Sequence, residues 1–98
     1  MSILYIVVDD TLPKSHQAAQ AGHGVAAFFL ACPTQAKEWN NGTLVLLKGD
    51  VQAIAQKNEI STPIVDAIWR EPDLGNRITA LAFWRPPNDR IFDGYPLL

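Results

Sequence analysis

His16, Gln20 and His23 are the residues of this 98-residue chain whose types and spacing first suggest chemistry. Set on a helix they fall at i, i+4 and i+7, along one face. The stretch that carries them, Lys14-Ser15-His16-Gln17-Ala18-Ala19-Gln20-Ala21-Gly22-His23-Gly24, is otherwise mostly Ala and Gly. Such a slim helix can press its backbone close to a sheet or a ligand. Imidazoles exchange protons near neutral pH, and an amide between them can orient a water or donate to a carbonyl oxygen. The two histidines lie roughly 10.5 Å apart along the axis, too far to serve one atom. Backbone amides near Ser15 and His16 would attract a phosphate or carboxylate, with Lys14 adding positive charge.

The elements that must position these groups follow from the flanking pattern. Ile3 to Val8 is a continuous apolar run rich in β-branched residues, the mark of a central strand covered on both faces. Asp9 to Pro13 read as a loop, with Ser15 as N-cap of a helix reaching about Ala31 and stopped by Pro33. Thr34 to Trp39 can add a short helical turn before the breaker Asn40-Asn41-Gly42. Thr43 to Lys48 then read as a second strand, and Asp50 as the cap of a helix to about Lys57 with Val51, Ile54 and Ala55 as its apolar stripe. Ile60-Ser61-Thr62-Pro63 connects to a third strand over about Ile64 to Trp69. Glu71-Pro72-Asp73-Leu74-Gly75-Asn76 is loop chemistry, and Ile78 to Trp84 form a fourth strand ended by Pro86-Pro87. The tail Ile91 to Leu98 is expected along the sheet. The order β-α-β-α-β-β predicts an α/β fold: a single three-layer α/β/α domain, residues 1–98, around a four-stranded mixed β-sheet.

Composition narrows the function classes. A hydrophobic fraction of 48% with 18% charged residues excludes a disordered or fibrous chain. The net charge of −2 gives no global pull on nucleic acid, although local patches are compatible with it. Cys32 is the single cysteine, which excludes an internal disulfide framework and a Cys-based zinc site and fits a reduced cytoplasm. The apolar opening lacks a basic flank, ends at Asp9-Asp10 and is too short to span a bilayer, so no membrane association is expected. Trp39, Trp69 and Trp84 are a large aromatic load for so small a domain and raise the expectation of a homodimer. His16, His23 and Cys32 are too dispersed for shared tetrahedral coordination, so no metal is expected. Dinucleotide, phosphate-loop and nucleophile-elbow signatures are missing, and no cofactor is implied.

From Leu4 to His23, the strand, loop and helix resemble the opening of the type 2 peptidyl-tRNA hydrolases, in which a strand and a Lys/Gly-rich loop precede a helix carrying Ala-Ala-Gln and a following His. Gln20 and His23 fall on that Gln and His. Lys14 corresponds to the loop lysine, while the lysine at the helix start is replaced by His16. Further on, Ile78-Thr79-Ala80-Leu81-Ala82-Phe83 resembles the family's late strand, with Thr79 on its threonine. Phe92-Asp93-Gly94-Tyr95-Pro96-Leu97-Leu98 resembles its terminal Gly-x-Leu-x-Leu segment. The family's Asp-Ala-Gly loop with its Thr-Gln is absent; Arg70-Glu71-Pro72-Asp73-Leu74-Gly75-Asn76 stands there as a shorter connection, as in a compact branch with that loop rebuilt.

The resemblance implies a peptidyl-tRNA hydrolase-type fold and hydrolysis of the ester between a peptide and the terminal ribose of tRNA. That reaction needs a positioned water, an acceptor for its proton and donors for the developing oxyanion. His16, Gln20, Glu71, Asp73 and Thr79 are the candidate catalytic residues, with Glu71 or Asp73 supplying the carboxylate that the family places on the opposing loop. Lys14, His23, Arg70 and Arg77 are the candidate contacts to peptidyl-tRNA or a related RNA conjugate. Each has a plainer alternative. His23 among Ala and Gly reads more readily as a core or supporting histidine, and Gln20 as a helix-surface amide bonding a neighbouring loop. Thr79 reads as a strand residue, Lys14 and His16 as solvated, and Glu71 and Asp73 as a loop turn in which Asp73 caps amides. With the helix-start lysine lost and the acidic loop rebuilt, a non-catalytic module binding tRNA, a nucleotide or a protein partner is the alternative function.

Overall fold

The computed structural model describes residues 2–58 and 65–98. Its elements are β1 (Ile3–Asp9), α1 (Lys14–Ala31), α2 (Pro33–Trp39), β2 (Leu44–Gly49), α3 (Val51–Asn58), β3 (Ala67–Glu71), a 3-10 turn (Pro72–Leu74) and β4 (Arg77–Arg85). The strands form one mixed sheet in the order β2-β1-β4-β3. β1 runs parallel to β2 and antiparallel to β4, and β3 is antiparallel to β4. Parallel neighbours need a long crossover, which α1 and α2 supply. The α/β domain with a four-stranded mixed sheet is thus as the sequence predicts.

Alternation along β1 divides the core in two. Leu4, Ile6 and Val8 face α1, where Ala21, Phe28, Ala67, Ala80 and Ala82 complete one cluster. Val7, with Tyr5 beside it, faces α3, where Leu47, Val51, Leu81, Phe83 and Phe92 form the other. The slim character of α1 has a measurable consequence at Gly24. A Cβ there would stand 2.8 Å from Ile6 Cγ2 and 3.2 Å from the Ala80 methyl, so the helix backbone rests directly on the sheet.

Several boundaries differ from the sequence reading. α1 starts at Lys14 with Pro13 as its N-cap and no side-chain cap, so Ser15 lies inside the first turn. The amides of His16 and Gln17 donate to the Pro13 carbonyl at 2.9 and 3.1 Å, while Pro13 itself, at φ −58° and ψ 149°, has the extended backbone of an N-cap. Pro33 opens α2 at its first turn instead of merely stopping α1. Asp50 does cap α3, its Oδ1 accepting the Ala53 amide at 3.1 Å.

β3 lies further along the chain than expected and takes in Glu71. Asp66 anchors its start: its backbone N–H donates to the Ala82 carbonyl at 2.9 Å, and its carboxylate accepts the Trp84 amide at 2.7 Å. The connector Ile60-Ser61-Thr62-Pro63 and Ile64, where the third strand was expected to begin, lie outside the described residues. The tail does follow the sheet, on β2, where Lys48 N–H donates to the Pro96 carbonyl at 3.1 Å and Leu98 N–H to the Leu46 carbonyl at 3.0 Å. One edge of the sheet is thereby covered. Among the described residues no helix is long and apolar enough to cross a membrane.

Candidate functional site

Gln20 is the centre of the site. It sits two turns into α1 on the side facing β3 and β4, and it is buried, which requires its amide to be satisfied. Both ends are. The Thr79 hydroxyl donates to Gln20 Oε1 at 2.7 Å, and Gln20 Nε2 donates to Glu71 Oε1 at 3.3 Å. Three of the candidate catalytic residues, distant in sequence, therefore meet in one chain of hydrogen bonds. The polarity of that chain is fixed: hydroxyl to amide oxygen, amide nitrogen to carboxylate.

Local irregularity places Thr79 there. On β3 and β4, Trp69 pairs with Ala80 and Arg70 with Ile78, so Thr79 is an extra residue on β4, a β-bulge. Strict alternation would send position 79 to the same face as Leu81 and Phe83. The bulge instead turns the Thr79 side chain toward α1, where it is fully buried. Thr79 is thus more than a strand residue of regular register. Glu71, read as loop from its Pro-Asp-Leu-Gly sequel, is the last residue of β3 and shares the α1-facing side with Ala67 and Trp69. It is half-buried, and among the described residues its Oε2 accepts no hydrogen bond.

The other candidates are distributed around this centre. His16 lies one turn nearer the helix start on the same face as Gln20, roughly 6 Å along the axis. It is exposed, and among the described residues its ring has no hydrogen-bond or ion-pair partner. His23 is not a core histidine: it is exposed and its ring stacks on Trp69, with centroids 4.8 Å apart and planes inclined by 26°. Trp69 Nε1 is buried with no acceptor among the described residues. Asp73 stands exposed on the 3-10 turn, and among the described residues it neither caps an amide nor approaches Gln20 by a hydrogen bond. Of the two candidate carboxylates, Glu71 is the one the fold brings to Gln20. Arg70 is exposed on the other side of β3 and donates to the Asn76 carbonyl at 3.3 Å, holding the turn.

Arg77 is already engaged. It forms an ion pair with Asp9 and donates to Thr11 Oγ1 at 2.6 Å. Asp9, the last residue of β1, is buried and also accepts the Thr11 amide at 2.9 Å and the Thr11 hydroxyl at 2.7 Å. A carboxylate taken out of water needs such partners. Because Arg77 pairs with Glu71 across β3 and β4, the same residue ties the β3–β4 turn to the end of β1. Sequence reading placed Asp9 in a loop and missed this brace. Its signal was an acidic residue closing an uninterrupted apolar strand, with threonine two positions on.

Cys32 is a free, half-buried thiol. Its thiol donates to the Asp66 carbonyl at 3.4 Å, and burial, followed by the charge of Asp66, pushes its pKa up. Among the described residues no three side chains converge as metal ligands. All three tryptophans pack against the α1-side core, Trp39 donating to the Thr43 carbonyl at 2.9 Å and Trp84 lying 5.7 Å from Phe28. The aromatic load therefore contributes to this core. In comparisons with known proteins, no family model and no curated sequence matches the chain.

Proposed function

We propose that the protein is an ester hydrolase of the peptidyl-tRNA hydrolase type, with Glu71, Gln20 and Thr79 as its reacting and orienting groups. The hydrogen-bond chain from Thr79 through Gln20 to Glu71 is the observation that carries this reading. Glu71 is the proton acceptor: its Oε2 takes a proton from the water that attacks the ester carbonyl carbon. Gln20 uses one amide hydrogen on Glu71 and keeps the second for the carbonyl oxygen, which gains negative charge as the water adds. Thr79 holds the amide in the one orientation that points its nitrogen, not its oxygen, at the carboxylate. Glu71 then gives that proton to the departing ribose oxygen, while His16, exposed on the same helix face, is placed to hydrogen-bond the substrate. The sequence resemblance supplies the substrate, an ester joining a peptide to the terminal ribose of tRNA.

The test is release of peptide from an N-acetylated aminoacyl-tRNA. Wild-type protein is expected to turn over, and Gln20→Ala to lose about 10²–10³-fold in kcat/KM, the scale of one lost oxyanion donor. Equal rates for both would refute the assignment. Saturable binding of the same tRNA without turnover would assign the fold to a non-catalytic binding module.

A further inference from the structure

On the flank of α1 opposite His16, Gln20 and His23, a second group of side chains converges that hydrolysis does not use. Lys14, Gln17 and Ala18 of α1, Lys48 near the end of β2, and Leu97 and Leu98 of the tail line a cleft of about 490 Å³. Lys14 and Lys48 come from the two strand-helix junctions at the C-terminal ends of the parallel strands, the edge where open α/β sheets gather ligands. Among the described residues neither lysine has an acidic partner; the ion pairs there join Arg77 to Asp9, Arg85 to Asp89 and Arg90 to Asp93. Gln17 is committed elsewhere, its Nε2 donating to the Leu12 carbonyl at 2.8 Å, so it walls the cleft. Leu98 is pinned to Leu46 and closes another side.

Lys14 and Lys48, without an acidic partner among the described residues, both line this cleft and make it locally positive in a chain whose net charge is −2. The first turn of α1 adds its positive end to the same place. We propose that this cleft is a phosphate subsite built by Lys14 and Lys48, and that it holds a phosphodiester of the RNA strand whose terminal ester reaches Glu71. The RNA part rests on the function proposed above. The two flanks of α1 lie about one helix diameter apart, roughly 10 Å. The last nucleotides of a single strand span that distance, wrapping the helix with a phosphate on one side and the terminal ribose on the other.

The experiment is fluorescence-anisotropy titration of the full chain with a short single-stranded oligoribonucleotide ending in CCA, over a range of salt. One neutralised phosphate gives a slope of log affinity against log salt of about −0.7 for single strands. Lys14→Gln with Lys48→Gln is expected to bring that slope near zero and weaken binding at low salt about tenfold, while Lys48→Arg keeps both. An unchanged slope in the double variant, with circular dichroism confirming its fold, overturns the proposal. So does wild-type protein that binds neither the oligonucleotide nor inorganic phosphate. Lysine-dependent binding of inorganic phosphate without binding of the oligonucleotide would keep the anion site and overturn its RNA source. Lysine-dependent RNA binding with no peptide release would leave the subsite standing and remove the hydrolase reading alone.

Discussion

The sheet face under α3 is filled by rings: Phe92 lies 4.9 Å from both Tyr5 and Phe83 and 5.5 Å from Tyr95, in tilted and edge-on contacts. Beneath α1 the rings of Phe28, Trp39 and Trp84 fill only part of the face. Around Gly24 the helix rests on Ile6 and Ala80, with Ala67 and Ala82 in the same cluster, and Gln20 and Thr79 are buried on that side. Edge-to-face rings fill space by shape and leave no room for an unsatisfied polar group. Small residues let a helix backbone approach the strands, and only at that separation can Gln20 reach Thr79. The ring-filled regions stabilise the domain, and the stretch around Gly24 is thin enough to hold chemistry.

That contrast can be broken from either side. Phe83→Ala empties the aromatic face and is expected to cost about 3–5 kcal/mol in urea unfolding. Its effect on hydrolysis should follow the folded fraction alone. Gly24→Ala attacks the thin stretch by forcing a methyl against Ile6 and Ala80. Overpacking there costs about 1–3 kcal/mol, offset by about 1 kcal/mol of helix propensity. Here activity should fall further than stability, because lifting α1 stretches the Gln20 contacts; parallel losses would contradict this account. Thr79→Val keeps the shape and leaves Gln20 Oε1 without its donor, an expected loss of about 1–3 kcal/mol that Thr79→Ser should largely recover. The smallest effect concerns Cys32. Its raised pKa keeps the thiol protonated at neutral pH, so its reaction with a disulfide reagent should accelerate only above the ordinary thiol range. Rapid labelling at neutral pH would show that the contact with Asp66 is not maintained.

Much of this arrangement was legible from residue order. The run Ile3–Val8, the Asp50 cap and the Ala/Gly composition of α1 each act locally, and each produced the expected element. The site was half legible. Gln20 stood out because a polar group recurs on a slim helix, and Glu71 was one of two carboxylates at the right place in the chain. What distinguishes Glu71 from Asp73 is strand pairing: β3 runs on to Glu71 opposite Arg77, and only then does the chain turn through Gly75 and Asn76 at φ of 67° and 61°. The bulge at Thr79 left no mark in the sequence, since two strands must be aligned before one residue is found to be extra. The Asp9–Arg77 brace joins the end of the first strand to the start of the last, and such long-range pairing has no periodicity to read.

The most direct test of the central claim is single-turnover hydrolysis of N-acetylated aminoacyl-tRNA by wild type and Glu71→Gln. A glutamine at position 71 can still accept the Gln20 hydrogen bond and preserves the shape of the site, but it cannot take a proton from water. The account predicts an unchanged fold by circular dichroism and a rate lower by about 10²–10⁴-fold, the usual contribution of a positioned general base. A Glu71→Gln protein that cleaves as fast as wild type would contradict it.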